Sequence, residues 1–160
     1  MASENSIKEF HRINVIIWIA IIASVLTITI IAFILDNSQV FIPVSDAVLI
    51  NQIMFLIAVV IAFAILFFKR SLFVPGKLVN ISSDVPESEK HTIVLSRVRK
   101  NYILVWALGE TIGVLGFINY VLTADRQYLY VFAVVSLYSI LINIPRQELI
   151  QRCLNLIGEN

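Results

Sequence analysis

The residue best placed to do chemistry in this chain is Glu110. It lies about midway along Tyr102–Leu122, an otherwise apolar stretch of membrane-spanning length, and is the only carboxylate in it. Holding an ionisable group at that depth costs a few kcal/mol, so such groups are kept where they pair, hydrogen-bond or handle ions. Three of the protein's five glycines, Gly109, Gly113 and Gly116, stand around it. Their i, i+4, i+7 spacing puts them on one helix face, and Gly109-x-x-x-Gly113 is a small-x-x-x-small pair that lets another backbone approach closely. Glu110 is one position away, about 100° of rotation, so it points to the edge of that contact.

Two chemistries follow for such a carboxyl. It can serve as a hydrogen-bonding joint between helices, or it can take up and release protons or cations if water reaches it. No apolar stretch carries Lys, Arg or His at the same depth. Low-dielectric surroundings without a cation favour the uncharged acid, which acts as a hydrogen-bond donor. Matching depths along antiparallel spans puts Glu110 level with Tyr138 and Ser139 on the last apolar stretch, and with Ser24 on the first. These three are its possible partners.

The elements that must position these groups are apolar helices. Hydrophobic residues make up 59% of the 160 residues and charged ones 14%, at a net charge of +1, and mean hydropathy is +0.88. Apolar runs of roughly twenty residues match the thickness of a bilayer's hydrocarbon core. Four spans are expected, over 13–35, 47–68, 102–122 and 128–144. The second contains no glycine and is apolar all round beyond Asn51 and Gln52, so it should face lipid over much of its surface. A polar connector covers 69–101. Within it Val74-Pro75-Gly76 reads as a turn and Ser82 to Glu87 as a helix start. From Glu87 to Lys100 a helix along the membrane interface and running into the third span is expected, with Ile93, Val94, Leu95 and Val98 on its apolar side and Lys90, Arg97, Arg99 and Lys100 on its basic side. Asp36–Asp46 has turn chemistry, and Thr123–Gln127 is a very tight turn. The tail should lie on the membrane as an amphipathic helix with Leu149, Ile150, Cys153, Leu154 and Ile157 on one side.

Basic residues in short loops set orientation. Of the 12 Lys and Arg residues, all but Arg126 fall in the N-terminal segment, the 69–101 connector and the tail. The reading is an all-α integral membrane protein of four transmembrane helices arranged as two hairpins, N-in and C-in, forming a single membrane domain. Arg97, Arg99 and Lys100 then either fix topology or bind acidic lipid headgroups. Two hairpins of one orientation raise the possibility of duplication. A shift of 87 residues sets Arg12-x-Asn14-x-Ile16 on Arg99-x-Asn101-x-Ile103, a parallel repeat in which Glu110 falls opposite Ala23.

Little else suggests catalysis. A single cysteine, Cys153, excludes an intrachain disulfide, and His11 and His91 have no partners at metal-ligand spacing. There is no nucleophile elbow, phosphate loop or dinucleotide fingerprint, and no basic-aromatic alternation for nucleic acid. The expectation is no enzymatic activity, no catalytic or metal site and no cofactor.

Arg99-Lys100-Asn101 followed by Ala107–Phe117 resembles the carboxylate helix of rotary ATPase proteolipid subunits. That resemblance implies an ion-carrying role for Glu110. It covers about twenty residues, and the first two spans here lack the glycines found throughout that family. The whole layout, with Ala-x-x-Glu in the third span and Pro145-Arg146 after the fourth, resembles small four-span bacterial membrane proteins of unassigned function. The expected role is a non-enzymatic, helix-packing or accessory subunit of the cell membrane, by that resemblance a bacterial inner membrane. Its partners would be membrane lipids and either further copies of itself or other membrane subunits. The alternative is a proton- or cation-handling protein that uses Glu110.

Overall fold

A computed structural model describes residues 4–37, 46–81 and 85–158. It holds six helices: α1 Glu4–Asn37, α2 Ala47–Leu72, α3 Pro75–Val79, α4 Glu87–Thr123, α5 Arg126–Leu141 and α6 Gln147–Gly158. No strand occurs among the described residues. The turn residues expected between Asp36 and Asp46 fall largely outside them, as do Ser82, Ser83 and Asp84.

Three helices are long and apolar enough to cross a membrane, over Ile7–Leu35, Ala47–Leu72 and Glu89–Thr123, consistent with a multi-pass membrane protein. Their outward side chains are large and apolar, among them Ile16, Ile30 and Ile34 on α1 and Val48, Phe63 and Phe67 on α2. A soluble protein rarely exposes a continuous apolar surface of this kind. The fourth apolar helix, α5, has 16 residues, about 24 Å at 1.5 Å each, and stops at Leu141 rather than continuing to Ile144.

The centre of the bundle is α4. It buries Val98, Tyr102, Val105, Ile112, Tyr120 and others along almost its whole length, a stripe renewed every three or four residues. It packs on α5, α2 and α1, whereas α1 and α2 do not pack face to face. The first two long helices are therefore not a closed hairpin; α4 separates them. α2 buries only Asn51, Ala58 and Ile65, a line of residues seven apart that leaves most of the helix facing outward.

Both α1 and α4 run well past the apolar zone. The 37 residues of α4 span about 55 Å, against about 30 Å of hydrocarbon. At the Lys/Arg-rich end their first turns meet α3 and α6 in a compact lobe. Phe10, Leu78, Val94, Val98, Ile150, Cys153, Leu154 and Ile157 share its core, which is continuous with Tyr102 and Trp106 in the bundle. Three readings change as a result. The segment 87–100 runs into the third span as the start of α4, as expected, but its apolar Val94 and Val98 are buried in the lobe instead of facing lipid. The apolar side of α6 is likewise covered by protein, and burying Ile150, Leu154 and Ile157 is worth roughly 1.5–3 kcal/mol each. Val74-Pro75-Gly76 opens the short helix α3 with Pro75 at its first position, where the missing N–H costs nothing.

At the opposite end α4 turns into α5 within two residues. Ala124 takes a left-handed conformation (φ 55°) and its N–H bonds to the carbonyl of Tyr120. Asp125 then caps α5, its side chain accepting from the Gln127 N–H at 3.0 Å. A non-glycine residue in this conformation is strained by about 1–2 kcal/mol, which the two caps help to offset.

Candidate functional site

The glycine face is occupied within the chain. Gly109, Gly113 and Gly116 pack against α5, with Val25 of α1 also beside Gly113. A methyl group at Gly116 would lie 2.4 Å from Cβ of Phe132, one at Gly109 2.8 Å from Cγ1 of Ile140, and one at Gly113 3.0 Å from Oγ of Ser136. The close approach brings Oγ of Ser136 within 2.7 Å of the Gly109 carbonyl, to which it donates.

Glu110, one residue round from this stripe, faces α1. It is half-buried, and Oγ of Ser24 donates to its Oε1 at 2.5 Å. Of the three candidate partners only Ser24 makes this bond. Ser139 is buried on α5, where its carbonyl accepts from Asn143. Tyr138 points away and is 64% exposed, because α5 turns Leu129, Phe132, Ser136 and Ile140 inward and residue 138 lies about 200° from 136. The Glu110–Ser24 pair sits beside Ala23, Ala107 and Thr111, all exposed. The carboxyl is therefore at the rim of the α1–α4 seam, not sealed in the core.

A second polar cluster closes the seam between α2, α4 and α5 at the end opposite the lobe. Nδ2 of Asn119, fully buried, donates to Oδ1 of Asn51 at 2.7 Å. Nδ2 of Asn51 donates to Asp125 at 3.2 Å. Sequence reasoning noted Asn51 but missed this constellation; the available signal was two asparagines near the same ends of antiparallel apolar stretches.

At the lobe end, the tryptophans hold the last turn of α5 and the residues just after it. Nε1 of Trp18 donates to the Ile140 carbonyl at 3.0 Å, and Nε1 of Trp106 to that of Asn143 at 2.8 Å. Nζ of Lys69 donates to the Ile142 carbonyl at 3.0 Å, a cation at a helix C-terminus where the dipole favours it. The basic residues singled out from the sequence are spread apart. Arg97 donates to the carbonyls of Leu78 and Asn80 at 3.3 and 2.9 Å and ties down α3. Arg99 lies over the ring of Phe10, 4.7 Å from its centroid. Lys100 is exposed. Among the described residues no group of three His, Cys, Asp or Glu side chains could hold a metal ion.

No protein-family model, curated protein or solved structure matches this chain.

Proposed function

We propose that this chain is a non-enzymatic accessory protein of the cell membrane, with α5 as its fourth span and both termini cytoplasmic. The distribution of Lys and Arg supports that orientation. The exposed face of α5, with Val131, Val134 and Leu141, supports its contact with lipid, as does the resemblance to small bacterial four-span proteins. A bacterial inner membrane suits the same features.

The observation that carries the reading is the Ser24–Glu110 bond. It makes the carboxylate of α4 a joint to α1, just as the glycine stripe makes the adjoining face a joint to α5. With those faces used inside one chain, association with a second copy or another membrane subunit falls to the exposed sides of α1 and α2. The half-buried position of Glu110 favours a second reading, in which water reaches the carboxyl and it handles protons or cations.

Glu110→Gln and Ser24→Ala separate the two. If the carboxyl is a joint, the glutamine keeps the hydrogen bond and stability stays within about 0.5 kcal/mol, while the alanine costs about 1 kcal/mol. Wild-type protein in liposomes should show no proton flux beyond empty vesicles. Flux that Glu110→Gln abolishes overturns the accessory reading and establishes ion handling.

A further inference from the structure

A cavity of about 290 Å³ opens at the border between the bundle and the lobe. Lys69, at the end of α2, and Arg146 and Arg152, before and within α6, line it. Among the described residues no carboxylate forms an ion pair with any of the three, although Glu148 stands in the wall. Lys69 and Arg146, two like charges, line the same space. Lys69 is fixed by its bond to the Ile142 carbonyl, and an ammonium has two further protons to offer. Tyr102, in the same wall, accepts from the Arg146 N–H at 3.2 Å, which leaves its own hydroxyl proton free to donate. Apart from Asn143, the remaining wall is apolar, including Phe73 and Leu149.

Position decides what such a cavity is for. The exposed apolar surface ends just here, at Phe67 on α2, at Leu141 closing α5 and at Ile144 after it. Lipid phosphates lie at that level if these helices cross the bilayer, and basic residues next to a span attract anionic lipids. Three cations against one carboxylate leave a surplus that suits a phosphodiester, and the apolar wall suits the first carbons of its acyl chains. We infer that this cavity binds the phosphate headgroup of an anionic phospholipid, held by Lys69, Arg146, Arg152 and the Tyr102 hydroxyl. The inference rests on the membrane placement proposed above.

Native mass spectrometry of the purified full chain in detergent tests it, with titrated phosphatidylglycerol and phosphatidylcholine as probes. Read in detergent, the outcome does not depend on how many helices cross the bilayer or in which direction, so it can fail while that placement stands. Phosphatidylglycerol should bind at one saturable site in preference to phosphatidylcholine. Arg146→Gln/Arg152→Gln should weaken it about 30-fold without lowering the unfolding midpoint, since both side chains are exposed. Arg12→Gln, on an exposed position of α1, should leave binding unchanged. Equal binding of the two lipids, or unaltered binding by the double variant, overturns the inference. Displacement of the lipid by millimolar inorganic phosphate overturns the lipid assignment in favour of a soluble phosphate ligand.

Discussion

Gly116→Ala should be the most damaging single-methyl change in the α4–α5 contact. The added Cβ would stand 2.4 Å from Cβ of Phe132, where carbon atoms ordinarily settle at about 3.5–4.0 Å. Cβ of Phe132 is fixed to the backbone of α5, so no rotamer change relieves the overlap and the helices must separate by about 1 Å or more. Such overpacking typically costs 1–3 kcal/mol, and this site belongs at the upper end. The better helix propensity of alanine returns about 1 kcal/mol. The net expectation is a loss of about 2 kcal/mol, some 30-fold in the unfolding equilibrium. At Gly109 the clash is with Cγ1 of Ile140 and at Gly113 with Oγ of Ser136, side-chain atoms that can turn aside, so alanine there should cost less. Gly76, with nothing within 4 Å of the added carbon, is the control: alanine should leave stability unchanged or raise it by up to about 1 kcal/mol. Denaturant unfolding in detergent, followed by tryptophan fluorescence, reads the effect directly. Both indoles are bonded to carbonyls at or just beyond the end of α5, so loosening of that helix changes their environment. Gly116→Ala as stable as the wild type, or less harmful than Gly113→Ala, would refute the reasoning.

Two other perturbations probe parts of the fold that distance alone links. Asn119→Ala strips the buried donor from Asn51 Oδ1 and should cost about 1–3 kcal/mol; Asn119→Leu, checked by the same unfolding curve, should not restore it, because it fills the space without supplying a donor. Cys153 is fully buried on the inner side of α6, and burial pushes its thiol above the ordinary range. N-ethylmaleimide at pH 8 should therefore label it slowly in the folded protein and quickly once the lobe unfolds; rapid labelling of the native protein would place α6 away from the lobe. A folded-state value raised in this way leaves stability intact below the ordinary thiol range. Stability then falls as pH climbs through about 8.5 and above, and alkaline melting of wild type against Cys153→Ser checks that sign.

Much of this architecture is local and was legible. Apolar run lengths marked the long helices, because a bilayer-spanning segment must satisfy its backbone internally. The i, i+4, i+7 glycines defined a contact face, and the one-residue offset of Glu110 set it beside that face, both consequences of 3.6 residues per turn. Depth counting also put Ser24 level with Glu110, since parallel and antiparallel helices rise at the same rate.

What periodicity cannot state is which surface receives a face. The glycine stripe is equally suited to a second copy or to any helix of its own chain; only packing assigned it to α5. Tyr138 and Ser139 shared Glu110's depth, but the rotation of α5 turned one outward and gave the other to Asn143. The apolar side of α6 reads the same whether lipid or protein covers it, and it was the overhang of α1 and α4 that supplied protein. Lys69, Arg146 and Arg152 are separated by as many as 83 residues, with nothing in their spacing to link them. Their meeting at one cavity, like the placement of α4 between α1 and α2, depends on contacts between distant segments, and those are fixed only when the helices close on one another.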